Sequence, residues 1–509
     1  MKKRPGFMIL LILFAYAALI LLLTFAEQNA PGASIHSVGD ALWYSLVTLT
    51  TVGYGDLFPV SPLGRAIGLL FVLLSAGLLA AALGIMGALI RGSLAPRFRA
   101  MRLRGKACFF FSDCGEAAQA LARDLLSSDP NAAAVFCRAF HARPLPSRRA
   151  LYVNENIQDA LLSAPFSRGG EAAFLFSADM DQNAADARAL LSRGIPLYCR
   201  GAEDASLPAV RFLDDAVCCA RAYWRDHPIL PGEKDVVLIG GGKIAMALLD
   251  QAAVINCRTP LLFTRYHLFG DWAAWRRIHP ALCRALAGDK EAEKDALIFH
   301  TGPWEECPEL IEKAQRVIVC LDDPACCARE ARMMERYFVR LGPVHFYAPQ
   351  GGVPGGFGAA PQLFTRETVL QNSLDELARA LHSRYCRENG ADTPWEALSP
   401  FLKASNRAAA DHLAVKMRLL LPEADDPAPT RENLREAFRR WQETADKTAF
   451  RQCEHDRWMR FHLLYNWRPS PEKSEERRTH PCLVPFERLS DADKIKDDAA
   501  WAQLQSTLS

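Results

Sequence analysis

Between residues 6 and 64 this 509-residue chain has no lysine or arginine, and before Cys108 it has no cysteine. The 15 cysteines that follow include no CxxC pair; the tightest neighbours are Cys218-Cys219 and Cys326-Cys327. Neither a zinc ribbon nor a secreted disulfide framework is indicated, so the thiols read as buried or free in a reducing cytosol. An excess of either charge is also missing, with Lys+Arg 60 against Asp+Glu 58 and a formal net charge of +2. No global basic field calls for nucleic acid, and no acidic excess suggests a disordered solvating chain. A helix of repeated arginines is absent too, which argues against strong intrinsic voltage sensing. The length allows about three or four domains.

What is present is unevenly distributed. Residues 6–26 carry no charge and match the roughly 20 residues a helix needs to cross hydrocarbon. Residues 66–90 form a second stretch of the same kind. The first run exceeds a signal-peptide core, and no small-residue cleavage site clearly follows it. Lys2, Lys3 and Arg4 precede the first run, and Arg91, Arg97, Arg99, Arg102, Arg104 and Lys106 follow the second. By the positive-inside rule both ends are cytoplasmic, the hairpin faces outward, and Arg65 snorkels to the outer surface. The expected location is the plasma (inner) membrane.

Within the hairpin, residues 37–50 read as a short helix bearing Trp43 and Tyr44, followed by Thr51-Val52-Gly53-Tyr54-Gly55-Asp56. Extended backbone at membrane depth is prohibitive unless its carbonyls find a partner. Gly53 and Gly55 permit the angles that turn successive carbonyls to one side. Rings of such carbonyls replace the hydration shell of K⁺, and one copy supplies one wall, so four chains surround one axis. From Trp43-Tyr44 through Thr51–Val60 to Gly64-Arg65 the sequence resembles the two-span potassium channels. The resemblance implies a selectivity filter at Thr51, Val52, Gly53, Tyr54 and Gly55, with Trp43 and Tyr44 as the aromatic cuff and Asp56 as filter support. Two departures stand out. Val47 occupies the position where some members place a glutamate that pairs with the aspartate after the filter. Ser75 stands where the inner helix has its hinge glycine, leaving Gly77, Gly84 or Gly87 to bend or to pack.

From residue 107 short apolar runs alternate with helical segments, which predicts parallel sheets covered by helices. Strands are expected at 108–111, 133–137, 172–176 and 196–200, then at 235–239, 261–264, 296–300, 316–320 and 344–347, as in a diverged tandem duplication. The strand ending at Ile239 runs into Gly240-Gly241-Gly242-Lys243-Ile244-Ala245, a GxGxxA turn opening a helix. This makes Gly240, Gly242, Lys243, Ala245 and Arg265 candidate nucleotide-binding residues, with a purely structural turn as the competing reading. No ribose-binding acid is evident near the expected end of the next strand, where Thr264 and Arg265 fall. The corresponding first-half turn, Asp113-Cys114-Gly115-Glu116, carries two carboxylates that repel phosphate and reads as scaffold. A pore followed by such units, with the stretch 174–179 and Asn183, resembles the channels with RCK domains. That resemblance implies a ring of eight such domains acting on the inner helices through residues 91–105.

A glycine-rich connector at 351–358 leads to helical patterns, with helices expected over 395–421 and 432–464. The order His455/Trp458, Trp467, then His480 to Phe486 resembles the RyR domain, a helical repeat named after ryanodine receptors. Asn466 replaces the glycine that usually precedes the second tryptophan. His455, Trp458, Trp467 and His480 are read as ligand or core residues. If the tryptophans line a pocket, they suit a purine, with Arg457, Arg477 and Arg478 as phosphate candidates.

The expected architecture is therefore multidomain: an α-helical two-span pore module (1–98), tandem α/β Rossmann-like domains (99–230 and 231–365), a helical connector (366–394), and a small, mostly α-helical RyR-like domain (395–509). The expected function is a potassium channel gated by a cytosolic ligand and not an enzyme. K⁺ is the permeant ion, and the partners are three further copies, membrane lipid and a small-molecule or nucleotide ligand, without nucleic acid. Two alternatives are a membrane-anchored nucleotide-sensing scaffold and an NAD(P)-dependent oxidoreductase with a non-conducting anchor. No coherent acid/base or hydride site supports the latter.

Overall fold

The computed structural model describes residues 5–89, 105–139, 145–163, 170–258, 262–289, 291–339, 342–421 and 430–504. The basic linker expected to transmit force, the acidic loop 422–429 and residue 261 of one expected strand lie wholly or almost wholly outside them. The chain divides into two compact units, Met1–Arg102 and Leu103–Ser509.

The first unit is helical. α1 (Pro5–Glu27) and α3 (Pro62–Leu89) follow the two apolar runs, and α2 (Val38–Leu49) lies between them. α2 starts at a capping box, in which Ser37 accepts from the Asp40 amide and the Asp40 side chain accepts from the Ser37 amide. Ile20, Leu23, Ile35, Ala41, Ile67 and Phe71 form its core, with Tyr16 and Tyr44 edge-on to Phe71. Large apolar side chains remain on the outside, among them Phe14, Phe25, Leu69, Leu73 and Leu83. Counted over the described residues, no helix is long and apolar enough to cross a membrane. The side chains of residues 5–13 and of several positions between 78 and 89 fall outside that count, while the backbones run 23 and 28 residues.

The second unit contains two parallel sheets of the same topology. In the first, β1 (Ala107–Phe111), β2 (Ala132–Phe136), β3 (Ala150–Tyr152), β4 (Gly170–Leu175), β5 (Leu197–Arg200) and β6 (Val210–Leu213) lie in the order β3-β2-β1-β4-β5-β6. In the second, β7 (Asp235–Gly240), β8 (Arg265–Phe269), β9 (Ala296–Phe299), β10 (Arg316–Cys320), β11 (Val344–Tyr347) and β12 (Gly356–Phe357) repeat it as β9-β8-β7-β10-β11-β12. Every pairing in both sheets is parallel, the doubly wound Rossmann arrangement. β3, β6 and β12 are short edge strands that the apolar pattern does not signal.

One strand begins later than expected. Residues 262–264 belong to no strand; β8 begins at Arg265 and pairs with β7 in the register Asp235↔Arg265. Its polar residues are tolerated because Asp235 neutralises them. Arg265 donates to it twice, at 2.7 and 2.8 Å, and His267 Nε2 lies 3.1 Å away. Burial alone would raise the Asp235 carboxyl, but hydrogen bonds from His267 and Arg265 outweigh it and hold the group at about 2.

The helices Asp215–Asp226 and Lys243–Ile255 join the halves, and Trp224 Nε1 donates to Leu248 O at 3.0 Å. Toward the C-terminal end, the helices Glu376–Asn389, Pro400–Leu419, Arg431–Glu443, Thr448–Leu464 and Asp491–Ala502 build a core around Trp395, Leu413, Phe438, Trp441 and Trp501. The single helix expected over 432–464 is two, Arg431–Glu443 and Thr448–Leu464, with Asp446 in the break accepting from the Thr448 amide at 2.9 Å. The helix expected over 395–421 begins at Pro400, after a 3-10 turn at Trp395–Ala397.

Candidate functional site

The C-terminus of α2 delivers the chain into the stretch from Thr51 to Asp56. Val47 O, at the end of that helix, accepts from both the Val52 and Gly53 amides, at 3.0 and 3.2 Å. The backbone then alternates: Thr51, Gly53 and Gly55 have φ of +62°, +58° and +76°. Glycine adopts such angles freely, whereas β-branched Thr51 is strained there. Trp43 braces the stretch, with its ring parallel to Tyr54 at 6.1 Å and its Nε1 donating to Asp56 at 2.9 Å. Position 47 holds the apolar Val47, and Asp56 has Trp43 as its partner. Tyr44 is not beside Tyr54 within the chain. It packs on Phe71, and its hydroxyl lies where a Cβ on Gly68 of α3 would point.

Two anchoring residues escape the sequence reading. Ser34 both donates to and accepts from the backbone of Phe58, at 3.0 and 2.9 Å. Glu27 accepts from the amides of Val60 and Ser61, each at 2.9 Å, and from the Ser61 hydroxyl at 2.6 Å. As the single charged residue between Gly6 and Gly39, Glu27 carried a readable signal. Ser75 is buried, with its hydroxyl bonded to Val72 O, and Gly77 and Gly84 face open space within one chain.

The glycine turn after β7 is filled by its own chain. A Cβ on Gly240 would meet Cys320 O at 2.0 Å, and one on Gly241 would meet Asp271 O at 2.1 Å. Both glycines therefore serve backbone packing. Gly242 caps the helix Lys243–Ile255, and an Asp322 carboxylate oxygen lies against it, 2.0 Å from where a Cβ would be. An anion of the chain itself thus stands at the helix N-terminus, where a phosphate would bind. Lys243 pairs with Asp214 at 3.2 Å, and Ala245 is buried. Arg265 does not join this group, because it opens β8 and is bound to Asp235. With the strand placed correctly, an acid does follow its end: Asp271, which accepts from the Ala273 amide. In the first half, burial raises the Asp113 carboxyl above its usual range. Asn183 bonds Ser177 and Arg200 O there, tying β4 to β5.

In the C-terminal helices His455 is buried and bonded to Val484 O at 2.8 Å, and Trp458 packs between it and His480. His480 Nδ1 accepts from the Cys482 amide. Arg457 is no phosphate ligand, being buried and bound to Glu454 at 2.6 Å. Trp467 does border a cavity of about 400 Å³, with Phe401, Tyr465, Glu475 and Arg478. Its ring stacks on Phe401 at 5.4 Å. Arg478, at φ +51°, donates to Tyr465 O there.

Comparison with known proteins places the first unit. The family described as "Ion channel" matches residues 7–92. A voltage-gated potassium channel of Aeropyrum pernix is 53% identical over 47 residues, 9% of this chain and 16% of that one. The Potassium voltage-gated channel protein shk-1 of Caenorhabditis elegans is 48% identical over 62 residues, 12% of each chain. Potassium voltage-gated channel subfamily A member 10 of Homo sapiens is 40% identical over 79 residues, 15% of each. The match thus spans about an eighth to a sixth of these relatives, which are potassium channels and not enzymes. Among solved structures, GsuK bound to ADP aligns with 68% of this chain and 90% of its own, at 14% identity and TM-score 0.32. The GsuK channel bound to NAD aligns with 67% and 78%, at 13% and 0.31. The Rossmann-like assignment rests on the strand order itself rather than on these superpositions.

Proposed function

We propose that the chain is one subunit of a potassium-selective channel in which four copies surround one axis. Carbonyls of the stretch from Thr51 to Gly55 line the ion path, and α1 and α3 cross the membrane with both termini in the cytoplasm. The observation that carries this reading is the alternation of positive φ at residues 51, 53 and 55, next to the Trp43 brace and inside the stretch matched to ion channels. Helices of 23 and 28 residues are about 35 and 42 Å long at 1.5 Å per residue, enough to cross hydrocarbon. Their exposed phenylalanines and leucines then face lipid or neighbouring copies.

The unit Leu103–Ser509 regulates the pore by binding a small ligand. A nucleotide fits the cavity beside Trp467, where Tyr465, Phe401 and Arg478 offer rings and a cation, better than the Gly240 turn already occupied by Asp322. The C-terminal helices serve as an RyR-like module in this role. The test is flux from liposomes containing the purified chain. K⁺ release that Gly53→Asp abolishes supports the channel; release of K⁺ and Na⁺ at equal rates contradicts it.

A further inference from the structure

Four helices, Asp215–Asp226, Lys243–Ile255, Pro400–Leu419 and Thr448–Leu464, leave between them a second cavity of about 330 Å³. This lies in the range of roughly 300–1,000 Å³ typical of small-ligand sites, which favour junctions between domains. Both Rossmann-like halves and the C-terminal helices contribute to its wall.

Its two arginines are paired with carboxylates. Arg221 donates through Nε and Nη2 to Asp411 at 2.7 and 3.0 Å, through Nη1 to Asp375 at 2.6 Å and through Nη2 to Leu374 O at 2.6 Å. Arg407 grips Asp375 at 2.9 and 2.6 Å. Glu203 is tied to Lys403 at 2.5 Å, and Asp214 caps a helix while pairing with Lys243. Among the described lining residues, each arginine already faces a carboxylate, which disfavours a phosphate. What is open is acceptor capacity. Asp250 uses one oxygen, Oδ1, for Trp275 Nε1 at 2.7 Å and His279 Nε2 at 3.5 Å. Its side chain is 35% exposed, and among the described residues nothing bonds its Oδ2 or the nearby Tyr465 hydroxyl. Val254, Phe461 and Leu464 supply an apolar wall around it.

We propose that this cavity binds a small organic cation, an amine, amidine or guanidine on an apolar body, with its charge on Asp250 and its body against Phe461 and Leu464. Binding at this point ties the four helices together and gives the regulatory unit a ligand distinct from an anionic nucleotide. The inference rests on the regulatory role assigned to this unit but not on the ion selectivity of the pore.

Tryptamine, benzamidine and agmatine, titrated to millimolar concentration against the full chain in nanodiscs, probe the site through the thermal midpoint. AMP and inorganic phosphate are the anionic controls. At least one amine is expected to raise the midpoint saturably, with affinity about tenfold weaker in Asp250→Asn, as the loss of a charged hydrogen bond requires. Ala404→Leu, which narrows the cavity without touching Asp250, should weaken binding as well. No shift with any amine overturns the proposal, as does a shift unchanged in both variants or a larger shift with AMP that both variants abolish. Flux from the unliganded chain reports the pore separately, so the two readings fail independently.

Discussion

The indole N–H of Trp43 donates to the Asp56 carboxylate at 2.9 Å while the same ring lies parallel to Tyr54, 6.1 Å away. One side chain of α2 thus holds both Tyr54, inside the stretch from Thr51 to Gly55, and the acid that follows it. Trp43→Phe keeps the ring and removes the donor, a loss of about 1 kcal/mol for an exposed hydrogen bond. The expected outcome is faster decay of K⁺ current during sustained conduction with ion selectivity unchanged. A current time course identical to the wild type would mean the bond is idle.

Glu27 closes the entry to α3. Its carboxylate accepts from two backbone amides and the Ser61 hydroxyl, and a Cβ on Gly64 would come within 1.9 Å of it. Glu27→Ala leaves those amides unpaired, at about 1–3 kcal/mol for each that stays dry. The melting midpoint of the membrane-reconstituted chain should fall, and Gly64→Ala should lower it too by displacing the same carboxylate. Unchanged midpoints in both variants would contradict this anchoring role.

The two ends of the glycine turn should respond differently to one methyl group. Gly240→Ala drives a Cβ onto the backbone of Cys320 at φ +142°, and no side chain can move aside. Gly242→Ala meets only the Asp322 carboxylate, the end of a mobile side chain. The yield of folded chain extracted in detergent should collapse for the first and remain near wild type for the second. The reverse order would show that the turn is not packed in this way.

A buried ionic cluster makes stability depend on pH in two opposing ways. Burial, helped by the charge of Glu454, raises the Asp497 carboxyl from its ordinary 3.8 to about 7, against Arg457 and Lys416. The folded chain then holds a proton that the unfolded chain releases, so this contribution is lost as pH rises from about 4 through about 7. Burial lowers His412 from 6.5 to about 4, despite Glu454. Its contribution runs the other way and is lost as pH falls through about 4. The melting midpoint of Asp497→Asn, which mimics the protonated carboxyl, should therefore rise relative to that of wild type as pH goes from about 5 to about 7.5. A difference that is flat with pH would place Asp497 outside the cluster.

The parts legible in sequence are those where local chemistry has one solution. Apolar runs without charge marked α1 and α3, the stretch 37–50 was readable as the short helix α2, and the central strands of both sheets follow continuous apolar stretches. Boundaries failed where a distant partner decides them. Arg265 and His267 look unsuited to a buried strand until Asp235 is seen beside them. Arg457 looks like a free cation until Glu454 is found three residues back on the same helix face. Trp467 was recognisable as important, but Phe401, which stacks on it, lies 66 residues earlier by numbering and has no local signature.

The most direct test of the account is the permeability series of the purified chain in a planar bilayer, measured with K⁺, Rb⁺, Na⁺ and Li⁺ in turn. The account predicts currents carried by K⁺ and Rb⁺, with Na⁺ and Li⁺ effectively excluded, and silence in Gly53→Asp. Equal permeation of all four ions, or no current from a folded tetramer in any of them, would contradict it.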